Sequence, residues 1–476
     1  MKYEVVIGLE VHVELDTKTK LFCSCPNSFS TKANQNVCEG CLGLPGTLPY
    51  LNSEAVEQAL KASLALNCEI ALESRFDRKN YFYPDIPKGY QISQFFIPIG
   101  SRGYLDIEDD RVPLKRINIT RVHIEEDAGK LVHSLAGDHS MVDFNRAGVP
   151  LVEIVTDPDL RSPAESRCYL EMLKSILQYS KVSDCKMEEG SLRCDANISL
   201  RPFGDPALGA KTELKNMNSF RAVEKGLEYE IKRQSAILDK GEKVIPQTRR
   251  WDEASGTTIA MRGKLQAHDY RCFVDPELSP IFLTAEHVEE VRKSLPEFAV
   301  QKVKRYVQEY GLPEYDARVI TSAPELSCYF EDCLAGYNNP KILSNWIMGD
   351  FLAYMGAAGQ DLENLTFTAD FMIELMHLID KKIISGKIAK QVMEKSFQNK
   401  KSPKEIVEEE GLLQISDESE LEKQVEQILT ENPASVEDYR NGKKKAIGFL
   451  VGQIMKATKG KANPQLVNEL LKKKLK

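Results

Sequence analysis

The sequence predicts an α+β protein: a mostly antiparallel sheet domain over residues 1–292, an all-α helical domain over 293–408 and a small all-α tail domain over 409–476. Three observations predict it. Up to about residue 290 the chain runs in short alternating segments broken by Gly, Pro, Asn and Asp, the period-2 pattern of half-buried strands. Beyond about Leu283 the apolar spacing lengthens to that of helices with readable starts and stops. A chain of 476 residues also exceeds one ordinary core, so several domains are expected.

The first strand occupies residues 6–15, where Leu9, Val11, Val13 and Leu15 point one way and Glu10, His12 and Glu14 the other. An amphipathic strand with a solvated polar side accounts for that pattern unaided; a reactive face needs support from other segments. Next come Cys23-x-Cys25 and, after twelve residues, Cys38-x-x-Cys41. Four thiolates at that spacing suit a closed tetrahedral zinc site that ties down a loop and leaves no position open for catalysis. The other seven cysteines lack paired spacing and read as ordinary packing in a reducing compartment.

Residues 75–95 interleave Arg75, Arg78, Lys79 and Lys88 with Phe76, Tyr81, Phe82, Tyr83 and Tyr90. Cations beside flat rings grip phosphate and stack a base, although such rings also serve as core. In RVHIEEDAGK, His123, Glu125, Glu126 and Asp127 crowd into five positions, too many acids for a strand to carry without counter-charge. In PLVEIVTD, Glu153 stands inside an apolar run, where an ionised carboxylate costs several kcal/mol unless a cation meets it. That cation is an arginine, Arg146 or Arg161, or else a divalent metal. Hard oxygen donors with an occasional imidazole suit Mg²⁺ better than zinc, and Mg²⁺ commonly bridges to substrate phosphates.

Ser162, Pro163 and Glu165 then open a helix with an N-cap, a first-turn proline and a capping-box acid. RCDANISLR alternates again, with Asp195, Asn197, Ser199 and Arg201 opposite Cys194, Ala196, Ile198 and Leu200. In the helical part, Thr368 and Asp370 open one helix, while Ser402, Pro403 and Glu405 open another that stops at Gly411. The tail holds three more helices; Ile447, Leu450, Val451, Ile454 and Met455 recur at helical spacing, and Asn463 with Pro464 opens the last.

Charge divides the chain unevenly. Residues 441–476 carry ten lysines against the single acid Glu469, a local +9 in a chain of net −8, so −17 remains for the rest. An acidic body with a basic tail points to a polyanionic partner. No run of about 18 apolar residues and no signal-like N-terminus occurs, so a soluble cytoplasmic protein with no membrane association is expected. Phosphate-loop, nucleophile-elbow and H-E-x-x-H motifs are absent, leaving metal and side-chain cations to hold any phosphate.

The order GLEVHVEL, FDRKNYFYPDIPKGYQISQ, RVHIEEDAGK, DFNRAGVPLVEIVTDPD, EEGSLRCDANISLRP, ELKNMNSF and GFLVGQIMKATKGKANPQLVNELL closely resembles the B subunits of bacterial and organellar tRNA-dependent amidotransferases. The resemblance covers essentially the whole chain. It implies a cradle-shaped catalytic domain, a helical domain and a tail that grips tRNA. It further implies a carbon–nitrogen ligase that uses ATP and Mg²⁺ to phosphorylate the aminoacyl carboxylate of Glu-tRNA(Gln) or Asp-tRNA(Asn). Ammonia then displaces phosphate. The resemblance assigns its supply, through a tunnel, to an amidase, the A subunit of a heterotrimer whose C subunit belts the other two together.

Carried over residue by residue, the family's metal positions fall on His12, Glu126 and Glu153, with Glu10 beside them and Glu125 and Asp195 as further candidates. Arg78, Lys79 and Arg193 are expected at nucleotide phosphate or the aminoacylated 3′ end, with Lys79 also catalytic, and Tyr81 and Tyr83 against a base. Cys23, Cys25, Cys38 and Cys41 are present in some family members and missing in others, which favours a zinc staple. Lys443, Lys444, Lys445, Lys456 and Lys459 become a tRNA-binding surface. Two rival readings are a stand-alone Mg²⁺-dependent carboxylate ligase, which leaves the basic tail unexplained, and a non-catalytic RNA-binding scaffold, which consumes no ATP.

Overall fold

Val5, Ile7, Leu9, Val11 and Val13 are all buried along the first strand, β1 (Tyr3–Glu14), and this alternation decides which face of a nine-stranded sheet becomes core. The computed structural model describes all residues except 1, 135–136, 138, 262–269, 363, 413–417, 441–442, 444, 459–461, 463 and 476. The remaining strands of that sheet are β2 (Glu69–Ile70), β3 (Gly100–Ile107), β4 (Lys115–Glu126), β5 (Pro150–Thr156), β6 (Leu192–Pro202), β7 (Thr212–Lys215), β8 (Gln247–Asp252) and β9 (Thr257–Ala260). Their spatial order is β9-β8-β7-β6-β1-β5-β4-β3-β2, so β1 is the central strand. Every neighbouring pair is antiparallel except β7 with β8.

Three helices pack on the apolar face: α1 (Ser53–Ala65), α2 (Pro163–Tyr179) and α3 (Phe220–Asp239). Leu60, Leu170, Leu173, Leu177, Val223 and Leu227 join Ile7, Leu9 and Ile198 in one core. Of these helices, only the second was expected from the sequence. Asn52 and Ser219 cap the other two through their side chains, a signal that the surrounding strand-like texture concealed. At α2, Ser162 accepts from the Glu165 N–H as expected, but the Glu165 carboxylate accepts from the Arg161 N–H and Lys115 instead of closing the box.

The chain falls into two compact units, Met1–Phe298 and Ala299–Lys476. The second unit is helical and contains two separate apolar cores, one within residues 306–407 and one within 421–475. Thr368 caps Ala369–Asp380, and Ser402 with Glu405 forms a complete capping box on Pro403–Glu409. In the last core Leu450 and Ile454 of Ala446–Ala457 are buried. Pro464 begins the final helix; Asn463, its expected cap, lies outside the described residues.

Candidate active site

Backbone register assembles the site. Directly opposed residues of paired strands share a face, and His12 on β1 stands opposite both Glu153 on β5 and Arg193 on β6. Glu153 in turn stands opposite His123 on β4, so one row crosses four strands on the face away from the helices. Glu125, two residues beyond His123, joins the row from the same side of its strand.

The contacts are close, with His123, Glu125 and Glu153 buried and His12 half-buried. His12 Nε2 lies 3.3 Å from Glu125 Oε1 and 3.4 Å from Glu153 Oε2, while His123 Nε2 lies 3.5 Å and 3.3 Å from the same two carboxylates. Burial disfavours the imidazolium of His12, yet its hydrogen bonds to Glu125 and Glu153 outweigh that and raise its pKa to about 10. His123 moves upward for the same reasons. Burial works against the charged forms of Glu125 and Glu153 as well, but the two imidazoles prevail and hold both carboxylates below their ordinary range. The groups nearest the Glu153 carboxylate are thus two imidazoles, His12 at 3.4 Å and His123 at 3.3 Å. Arg146 lies 3.2 Å from Asp127 and Arg161 3.3 Å from Glu4, so neither expected arginine is spent on it.

Donor atoms of His12, Glu125 and Glu153 lie within 4.8 Å of one another. Adjacent ligands about 2.1 Å from an octahedral Mg²⁺ would be separated by about 3.0 Å, close to the 3.3 and 3.4 Å that separate His12 Nε2 from the two carboxylates. Glu10, Asp195 and Glu213 form a second group of the same kind, with Glu10 opposite Asp195 across the β1–β6 ladder. Asn197 donates to Glu10 at 2.8 Å, and Lys215 pairs with both Asp195 and Glu213. His12 and Glu153 of the first group and all three members of the second line a cavity of about 370 Å³ that is also bordered by Asp77, Lys79, Ser93, Arg121 and Tyr270.

The expected site residues fall into different surroundings. Glu126 is not in either group: both its oxygens accept from Lys88 at 2.5 Å, and Oε1 accepts from the Ile92 N–H. Adjacent residues of a strand face opposite ways, so Glu125 and Glu126 could not both face the row. Arg78 is bound by Asp275 and Glu277, each at 2.8 Å, and its guanidinium lies 4.3 Å from the Tyr90 ring centre. Lys79, its neighbour in the short strand Asp77–Asn80 and so on that strand's other side, borders the cavity with its ammonium 5.0 Å from the Tyr270 ring centre. Arg193 donates to Asp127 at 2.7 Å. Tyr81 meets Tyr270 edge-on at 6.0 Å, and Tyr83 lines a separate open groove with Phe82 and Lys88.

Beyond the row, Glu14 is pushed up to about 7, first by burial and then by Asp127, against the pull of Arg193 and Arg146. Sequence reasoning did not single out Arg121, Glu213, Lys215 or Tyr270. Glu213 and Lys215 had a findable signal, since they alternate in TELK as cavity-facing residues next to RCDANISLR.

The four cysteines converge as their spacing implied. Cys41 Sγ lies 3.3 Å from Cys23 Sγ and 3.6 Å from those of Cys38 and Cys25. A tetrahedron with Zn–S bonds of about 2.3 Å has sulfur separations of about 3.8 Å, so this cage fits zinc after slight expansion. The Cys41 thiol falls to about 4, chiefly through its hydrogen bond with Cys23, with further help from the Lys20 charge. Of the tail lysines, Lys443 pairs with Asp438 at 2.8 Å, Lys445 and Lys456 are exposed, and Lys444 and Lys459 lie outside the described residues.

Comparison with known proteins meets this geometry. Residues 5–289 match the GatB/GatE catalytic domain and residues 328–475 the GatB domain. The chain is 57% identical over 475 residues to the B subunit of the aspartyl/glutamyl-tRNA(Asn/Gln) amidotransferase of Thermoanaerobacter pseudethanolicus, covering 100% of both chains. It is 54% identical over 477 residues to the protein of the same name from Carboxydothermus hydrogenoformans, covering 100% of this chain and 99% of the other. With that of Halalkalibacterium halodurans it shares 54% over 471 residues, 99% and 98% of the two chains. The row of His12, Glu125 and Glu153 thus sits inside a matched catalytic domain, and the chain belongs to the GatB family of amidotransferase B subunits.

Proposed function

We propose that this chain converts Glu-tRNA(Gln), Asp-tRNA(Asn) or both into the amidated aminoacyl-tRNAs, using ATP and ammonia that a glutaminase partner releases from glutamine. The observation that carries the reading is the cluster of half-buried His12 with buried Glu125 and Glu153, of which His12 and Glu153 line a cavity of about 370 Å³ that Lys79 also borders. The names of its relatives supply the substrate class.

The chemistry follows from the substrate. A side-chain carboxylate is anionic and would have to expel oxide, so ammonia does not displace it; once phosphorylated, it loses phosphate instead. Mg²⁺ held by His12, Glu125 and Glu153, with the Glu10, Asp195 and Glu213 group beside it, would supply charge neutralisation for phosphoryl transfer. The surrounding residues position the reactants. Lys79 and Arg121 present positive charge to phosphate oxygens along the cavity wall, and Tyr270, steadied by Tyr81, offers a flat surface. Arg78 and Arg193 hold the walls through Asp275, Glu277 and Asp127 and meet phosphate only on exchanging those partners.

We assign residues 1–292 to the catalytic domain, 293–408 to a helical domain and 409–476 to a tRNA-contacting tail, a division supported by the three separate cores. The cysteine cage holds structural zinc. The working assembly is a cytoplasmic heterotrimer in which this chain joins an amidase (the A subunit) and a third protein (the C subunit). Among the described residues no helix is long and apolar enough to cross a membrane.

The test uses the reconstituted complex. Glu153→Gln is expected to leave folding and assembly intact and to abolish tRNA-stimulated ATP hydrolysis. A folded, assembled variant with wild-type ATP turnover would remove the row from the chemistry, and a variant that unfolds would make Glu153 architectural.

A further inference from the structure

Lys20 has no exposed surface, although an ammonium is among the groups that cost most to bury without a partner. Its Nζ donates to the carbonyl oxygen of Asn36 at 2.6 Å and lies 3.4 Å from that of Phe144. The third neighbour is Cys41 Sγ at 3.7 Å. No carboxylate pairs with Lys20 among the described residues, and the side-chain group facing its ammonium is the Cys41 sulfur. The backbone supports the placement, with the Lys20 N–H bonded to the Cys25 carbonyl at 2.9 Å.

Charge explains why such a residue belongs there. Zinc ligated by four thiolates carries a net charge of about −2, which a half-buried loop must offset. Hydrogen bonds to ligating atoms also fix their direction and tune how strongly they bind. Lys20 meets both needs with one group, and its two carbonyl contacts lead from the cage to separate segments of chain.

We propose that Lys20 is the charge-balancing and positioning residue of the zinc centre formed by Cys23, Cys25, Cys38 and Cys41, joining that centre to the chain at Asn36 and Phe144. The proposal rests on the zinc reading above, and the test keeps the two apart. The full chain is purified as wild type, Lys20→Met, which keeps an unbranched side chain only one heavy atom shorter and removes the charge, and Lys20→Arg, which keeps the charge. Zinc per chain is measured by elemental analysis, zinc release by transfer to a chromogenic chelator, and thiolate bonding by the sulfur-to-metal charge-transfer band of cobalt-substituted protein.

Wild type is expected to hold one zinc, Lys20→Met to release it roughly tenfold faster or more with a displaced charge-transfer band, and Lys20→Arg to stay near wild type. Wild type without zinc would overturn the zinc reading itself. Zinc-loaded wild type and Lys20→Met with equal release rates and identical bands would overturn the role of Lys20 alone. If Lys20→Met does not fold, Lys20→Arg decides: rapid zinc loss from a folded arginine variant, or failure of both variants to fold, would assign Lys20 to packing and sink the proposal.

Discussion

Glu125 and Glu126 are neighbours of identical chemistry with opposite surroundings: one faces two imidazoles, the other a lysine ammonium and a backbone N–H. If the row is the metal site, Glu125→Gln should weaken Mn²⁺ or Mg²⁺ binding on the order of 100-fold, while Glu126→Gln changes it less than about threefold. Calorimetric titration of the two variants checks this, and equal losses would contradict the division. The sequence carried the face of β1 plainly, because strict alternation puts Glu10 and His12 together. It did not carry the choice between the two glutamates, which depends on how β4 is registered against β5. Nor did it carry the partner of Glu153, since His123 looked like one more member of an acidic run until the ladder set them side by side.

Between α3 and the β8–β9 edge of the sheet lies a buried polar network centred on Glu230, which has no exposed surface. Its carboxylate accepts from Arg233 at 2.8 Å and Thr258 at 2.6 Å and lies 3.2 Å from Arg249. Burial alone would raise its pKa, but the hydrogen bonds from Arg233, Thr258 and Gln234 prevail and lower it. A carboxyl with a folded value below its unfolded one stabilises fully above the unfolded value of about 4.3, and that contribution disappears as pH falls through the folded value. Glu230→Gln should therefore cost about 2–4 kcal/mol at pH 7, with the gap from wild type closing on acidification. Urea midpoints at pH 7 and in mild acid measure it; a pH-independent gap would exclude the ionic account. At this scale the capped helices Ala369–Asp380 and Pro403–Glu409 were legible, whereas α1 and α3 were not, because isolated caps carry little weight beside long runs of strand-like alternation.

For the molecule as a whole, the change of texture near Leu283 was legible, but the first unit ends later, at Phe298. The helix Ala285–Ser294 looks from its sequence like the start of the helical part, yet Val291 packs into the core of the sheet. The basic tail was legible from composition alone. Its prediction is electrostatic: replacing Lys443, Lys445 and Lys456 with Ala should flatten the dependence of log K for tRNA on log salt by up to about 2.7, three contacts at about 0.9 each. Filter binding across a salt series reads the slope, and an unchanged slope would place the tRNA contact elsewhere. The position of β1 at the centre of its sheet has a temporal consequence. Its neighbours are β5, beginning at Pro150, and β6, beginning at Leu192. At a synthesis rate of roughly 5–20 residues per second, β1 waits roughly 7 to 27 seconds on the ribosome with both edges unpaired. An apolar ribbon left open that long is a template for association between nascent chains, so the yield of this protein should respond to elongation speed and chaperone supply.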